Sequence, residues 1–183
     1  MVLECWQWLT LRSKGLAPCY DSTLIEFEST KVENNNDVLR SIRYALDLPD
    51  AAIGEMIKLA GEEISADMIP AILKKEDEAG FVECEDVLLV AFLDGLIIQR
   101  RGPSDTKPAP IKRLTNNIIL KKIRIAFELK EDDLHEIIKL AGFEISKPEL
   151  SAVFRNPDSK NYRVCGDQLL RYFLKGLSLR LRS

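Results

Sequence analysis

One histidine, four cysteines and a basic stretch near the C-terminus are the residues of this chain most able to do chemistry. His135 follows Asp132, Asp133 and Leu134, but no nucleophile stands at a spacing that would pair with it. A solvated histidine on the outer face of a helix is therefore expected rather than a catalytic base. Cys84 and Cys165 each stand two residues before an aspartate, Asp86 and Asp167. Zinc and similar metals need clustered ligands such as paired Cys-x-x-Cys with histidines, and no such spacing occurs. The two thiols read as small buried fillers; a two-fold axis running between them is the one arrangement that would make them a thiol pair. Cys5 and Cys19 lie in an N-terminal segment without related residues elsewhere. No glycine-rich phosphate loop, nucleophile elbow or dinucleotide fingerprint appears. The reading is a non-enzyme with no cofactor and no metal.

Several charged positions recur 81 residues apart: Arg43/Arg124, Glu63/Glu144, Asp77/Asp158 and Asp86/Asp167. They are too scattered to form an acid–base pair. An internal Arg–carboxylate clamp is the expected use, with Asp86 and Asp167 as helix N-caps. The basic stretch is the better candidate. Arg155, Lys160, Tyr162 and Arg163 fall in one loop, and Arg171, Lys175 and Arg180 follow on the last helix. Cations beside an exposed tyrosine suit phosphate contact and base stacking. The residues aligned with the loop cations are Lys74, Ala79 and Val82, so such a surface would be one-sided. Tyr162 shares its position with Phe81, which favours a packing role for the ring.

These pairs belong to a duplication. Residues 35–101 overlay residues 116–182 without a gap, with about 27 of 67 positions identical. NNDVLRSIRYALDL answers to NNIILKKIRIAFEL, EMIKLAGEEIS to EIIKLAGFEIS, and CEDVLLVAFLDGL to CGDQLLRYFLKGL. So long a period means two copies of a small domain rather than a solenoid. A copy of this size is marginal alone, so the two are expected to pack together.

Each copy reads as four helices. Val38, Leu39, Ile42, Ala45 and Leu46 make an apolar stripe near 36–48, with an asparagine before it able to cap. Ile53, Met56, Ile57 and Ala60 line one face of a helix near 50–60 that ends at Gly61, where a left-handed C-cap belongs. A third helix starts near Ser65 or Asp67 and, with a Ser/Glu capping box, at Ser146. The fourth carries Leu88, Leu89, Phe92, Leu93 and Leu96, repeated as Leu169, Leu170, Phe173, Leu174 and Leu177. Its Gly95 and Gly176 cost helix propensity, which close helix–helix approach would explain. The second and third helices superficially resemble a helix-turn-helix, but the first copy's third helix opens acidic where bases would be read. The fold class is all-α: two tandem four-helix copies related by a pseudo-two-fold. The expected divisions are an N-terminal extension over 1–33, an acidic repeat over 34–102, a proline-rich linker over 103–114 and a basic repeat over 115–183.

The chain has 183 residues, 46% hydrophobic and 30% charged, with net charge −3. That balance carries no strong nucleic-acid or membrane signature. It conceals a contrast: residues 35–101 hold 7 Lys/Arg against 14 Asp/Glu, whereas residues 116–182 hold 13 against 9. Opposite fields can attract within one chain or across a homodimer. The apolar run from Val87 to Ile98 contains Asp94 and is too short to span a bilayer. No secretory signal is recognised at the start, so reduced cysteines in the cytoplasm are expected. Trp6 and Trp8 lie within 1–33; this segment is read as upstream of a native start at Val32, or else as an apolar segment, Trp6 to Leu11, docking on the body.

With NNDVLRSIRYALDL, KKEDEAGFVECED, LTNNIILKKIRIAFELK and KNYRVCGDQLLRYFLKGLSLRLR in view, residues 34–183 resemble the YehS-like family of bacterial proteins with a tandem domain of unknown function. The resemblance implies a small cytosolic bacterial protein and brings no catalytic or ligand residues to transfer. The functional expectation is a non-enzymatic interaction or regulatory module whose macromolecular partner is a protein. The alternative is nucleic-acid binding through the basic repeat. In either case Arg155, Lys160, Tyr162, Arg163, Arg171, Lys175 and Arg180 are the candidate surface.

Overall fold

The computed structural model describes residues 34–104, 111 and 113–182. The start at Val32, the docking of Trp6 to Leu11, Cys5, Cys19 and most of the linker lie outside the described residues. Eight α-helices and no strand occur among those described: α1 Asn35–Leu46, α2 Asp50–Leu59, α3 Met68–Ile72, α4 Asp86–Arg101, α5 Asn116–Ala126, α6 Glu131–Leu140, α7 Lys147–Val153 and α8 Asp167–Arg182. The all-α, two-repeat architecture is as the sequence reading expects.

Local signals account for most helix ends. The Asn34 side chain accepts from the Asp37 amide and caps α1; Thr115 does the same for α5 through the Ile118 amide. Ser146 and Glu149 form the reciprocal capping box of α7. Gly61 closes α2 at φ +91°, its amide donating to Lys58 O and the next amide to Ile57 O, which satisfies two carbonyls of the last turn. Gly142 repeats this at the same φ. Asp86 differs from expectation: it is the first helical residue of α4, the cap is Glu85, and no side chain caps that amide end. Its carboxylate instead accepts from Asn35 Nδ2 at 2.9 Å and from the Leu114 amide at 3.1 Å. A carboxylate at this helix end still opposes the positive pole of the dipole. The helix-turn-helix likeness also ends here, because α3 has only five residues.

Packing exchanges partners between the repeats. Within each, α2 lies on α4 and α6 on α8; between them, α1 lies on α8 and α4 on α5. One apolar core results, running from Val38 to Leu177 through both copies. Phe92 and Phe173 are fully buried at its centre, each contributing about 2–3 kcal/mol by burial. The charge contrast is used in part at the joint: Lys122 on α5 pairs with Asp94 on α4 in a mostly buried contact and Arg182 with Asp47, whereas Arg101 with Glu128 runs the opposite way.

The glycines of α4 and α8 set the tightest crossings. A Cβ on Gly95 would lie 1.8 Å from Met56 O, and one on Gly176 1.9 Å from Ile137 O. Backbone thus meets backbone at both sites. Gly95→Ala would stabilise an exposed helix by about 1 kcal/mol; here it is expected to destabilise by ~3 kcal/mol or more, since α2 and α4 must separate. Urea unfolding checks the sign, and a stabilised variant would refute the close crossing.

Cys84 and Cys165 are both free and buried. The pair of thiols is not joined; each Sγ instead lies near a carbonyl of its own loop, Glu85 O or Gly166 O. Burial pushes both thiols up to about 12, helped by Asp86 at Cys84 and Asp167 at Cys165. The thiolate is the reactive species, so neither should be alkylated by iodoacetamide at pH 8 in the folded protein, and both should be alkylated in urea. Because the folded value is raised, this protonation preference contributes fully below the ordinary value of 9.0 and is lost as pH rises toward 12. Mass mapping of the two peptides reads the result.

Candidate binding cleft of the second repeat

The site is built on an asparagine. Asn117, the second residue of α5, is buried and uses both ends of its amide: Nδ2 donates to Val153 O at 2.8 Å and Arg163 O at 2.9 Å, and Oδ1 accepts from the Cys165 amide at 2.9 Å. Its neighbour Asn116 donates to Cys165 O and to Asp167 Oδ1. Together they hold the connection from α7 to α8 against the start of α5. That connection has no ladder of its own, and buried backbone groups must find partners. The first repeat repeats the clamp: Asn36 Nδ2 donates to Ile72 O and Val82 O, and Oδ1 accepts from the Cys84 amide. The sequence reading treated these asparagines only as material for a cap. The retained NN at both starts was the available signal.

Between the clamped connection and α5 lies a cleft of about 550 Å³, lined by Ile118, Lys121, Val153, Phe154, Pro157 and Tyr162 among others, with Arg155 on its edge. The Arg124 guanidinium covers the Phe154 ring at 4.7 Å and also donates to Leu129 O. The expected clamp between these arginines and the recurring carboxylates is not formed among the described residues: Arg43 pairs instead with Asp50, whose counterpart is Glu131. Lys121 and Arg155 are exposed and meet no carboxylate among the described residues.

The corresponding cleft of the first repeat is lined by Asn34, Asp37, Arg40, Lys75, Glu76 and Asp77. There Asp37, in the place of Ile118, pairs with Arg40, in the place of Lys121. Arg40 also donates to Lys74 O at 2.5 Å. The fold thus accepts either a polar, self-paired cleft or an apolar one with unpaired cations.

The seven sequence candidates are distributed over several neighbourhoods. Arg155 and Tyr162 meet in the cleft. Lys160 is exposed on the connection beside it. Arg163 points instead to Glu149 on α7, at 2.6 Å. Hydrogen bonds from Ser146 and Arg163 hold the Glu149 carboxyl down to about 2. A depressed carboxyl means that this contact is present above the ordinary 4.5 and is lost as pH falls toward 2. Arg171 is exposed on α8. Lys175 borders a shallow groove with Tyr44, Ser178, Leu179 and Arg182, where Arg182 lies over the Tyr44 ring at 4.3 Å. Arg180, about 140° round the helix from Lys175, pairs with Asp133 on α6. His135 is a correction: rather than being solvated, it is half-buried, its Nε2 at 2.9 Å from Ile145 O. Among the described residues no group of three His, Cys, Asp or Glu could hold a metal, and no helix is long and apolar enough to cross a membrane.

The duplication is also found when the chain is compared with known proteins. Residues 35–102 and 116–183 each match a family described as Protein of unknown function (DUF1456). The chain belongs to that family. It is also similar to the Uncharacterized protein YehS of Escherichia coli (strain K12), with 48% identity over 148 residues, covering 80% of this chain and 95% of that protein. No solved structure matches it significantly. The family is thus the tandem one that the sequence resembles, and it names no reaction.

Removing the clamp tests how the cleft is held. Asn117→Ala strands one amide and two carbonyls, at about 1–3 kcal/mol for each buried group left unsatisfied. The expected loss is ~3 kcal/mol or more, matched by Asn36→Ala. Urea unfolding measures both, and a loss below ~1 kcal/mol would mean that water replaces the side chain.

Proposed function

We propose that this DUF1456 protein is a non-enzymatic interaction module that engages a protein partner through its basic second repeat. The observation that carries the reading is the contrast between two clefts on one scaffold. In the first repeat Arg40 pairs with Asp37, and Lys75 shares the cleft with Glu76 and Asp77. The second leaves Lys121 and Arg155 without a carboxylate among the described residues, beside apolar and aromatic side chains. Cations without partners at an apolar surface favour an anionic, partly apolar ligand, and aromatic and arginine side chains are the ones most enriched where proteins bind. A duplicated domain in which one copy is self-satisfied and the other open is consistent with binding rather than turnover. The buried, protonated thiols and the carbonyl-bonded His135 supply no nucleophile–base pair in support of an enzyme.

Nucleic-acid binding is the second reading, favoured by the exposed Arg155, Lys160, Arg171 and Lys175. Against it, Arg163 and Arg180 are engaged by Glu149 and Asp133, and α8 sends Lys175 and Arg180 in different directions. A continuous phosphate track of six or more cations is hard to assemble from these positions. A homodimer joining acidic to basic repeats is a further proposal, although part of that attraction is already satisfied inside the chain by Lys122 and Asp94.

The deciding measurement is fluorescence anisotropy of the full chain with a mixed-sequence single strand of RNA or DNA, at roughly 50 and 200 mM salt. Six phosphate contacts would weaken binding about a thousandfold between these conditions. The expected result is weak binding without such a slope, alongside a specific protein partner that co-purifies from nuclease-treated lysate at both salts. Tight binding that collapses with salt would replace the leading reading by the second.

A further inference from the structure

We infer that the cleft between α5 and the α7–α8 connection is a peptide-binding site, and that its ligand is an acidic segment carrying an apolar or aromatic side chain. This deepens the interaction reading above and rests on it.

Three features of the cleft specify that chemistry. Its lining is apolar where a side chain could enter: Ile118, Val153, Phe154, Pro157 and the Tyr162 ring. Its volume of about 550 Å³ is sufficient for one large side chain with adjoining backbone. Lys121 and Arg155 flank it with no carboxylate partner among the described residues, so its electrostatic complement is negative. The one buried polar side chain of its lining, Asn117, already commits both Nδ2 hydrogens and its Oδ1 to the chain itself. The cleft therefore lacks the buried donors that would recognise an isolated phosphate or a base edge. It suits an apolar anchor with carboxylates on either side.

The first repeat shows that the fold does not require this lining. In the same place it carries Asp37 for Ile118, Arg40 for Lys121, Glu76 for Pro157 and Lys74 for Arg155. The ion pair of Asp37 with Arg40 occupies the position that Ile118 leaves apolar. Structural demand alone would permit the same residues in both copies. Ile118→Asp transplants the first repeat's residue, so it is compatible with the scaffold while placing a carboxylate beside Lys121.

The test selects a phage-displayed random dodecapeptide library on the full chain, then measures fluorescein-labelled winners by anisotropy. Winners should place Asp or Glu within a few residues of Phe, Leu or Trp. Their affinity should fall at least tenfold with Ile118→Asp and with Arg155→Glu, and should change less than twofold with Lys175→Glu, which lies in the other groove. Urea midpoints of the three variants confirm that they are folded. Enriched peptides without acidic residues would overturn the inference, as would binding indifferent to Ile118→Asp. Acidic peptides that respond to Lys175→Glu alone would move the site to the α1–α8 groove while leaving the interaction reading intact. A library that yields no binder, together with a labelled single strand whose binding is lost in Arg155→Glu, would remove both.

Discussion

The rest of this structure depends on two buried asparagines. Asn36 and Asn117 each satisfy two carbonyls and one amide of a connection that forms no secondary structure of its own. Without these partners the buried or half-buried backbone groups that the asparagines meet would be left unpaired, each costing more than one ordinary hydrogen bond returns. The clamp also fixes geometry: it ties the start of the first helix of each repeat to the segment leading into the last. The cleft of the second repeat is the space left between those two clamped walls. Its shape is therefore a consequence of folding, whereas its charge and polarity are free to differ, as the first repeat demonstrates with Asp37 and Arg40.

The clamps act within a fold whose repeats complete one another. α1 rests on α8 and α5 on α4, so neither repeat closes its core with its own helices alone. Within each repeat, Gly95 and Gly176 let the long helix touch the carbonyl side of Met56 or Ile137. Across the repeats the two seams have diverged. Asp94 meets Lys122 where α4 packs on α5; the aligned positions on α8 and α1 hold Lys175 and Ser41, with no such ion pair. That seam carries an exposed Tyr44 under Arg182 instead. The acidic–basic contrast of the copies is thus in part the charge of one internal joint, and only the remainder faces outward.

Elements governed by near neighbours were legible in the sequence. The apolar stripe of α1, the capping box of Ser146 and Glu149, the Gly61 and Gly142 helix ends and the tight crossing at Gly95 and Gly176 all depend on spacing or on a residue type with one dominant physical use. Asp86 was misread because a carboxylate at a helix start can cap or can accept from a distant donor, and Asn35 lies 51 positions away. His135 was misread for the same reason: its carbonyl partner, Ile145, arrives from beyond the end of α6. Of the basic candidates, only Arg155 and Tyr162 reach the cleft. Lys121, Ile118 and Phe154 were missed because the first two read as parts of an amphipathic helix and the third as ordinary core.

The sequence by itself determined the two-copy helical plan and the membership in a tandem family, because an ungapped 81-residue period and helical spacing are one-dimensional properties. Tertiary structure alone decided which helices of one copy pack on the other, which cations are neutralised and where an unpaired pair of them meets an apolar cleft. Those outcomes depend on which distant carboxylate or carbonyl a side chain can reach. Such distances arise only when the chain has closed on itself.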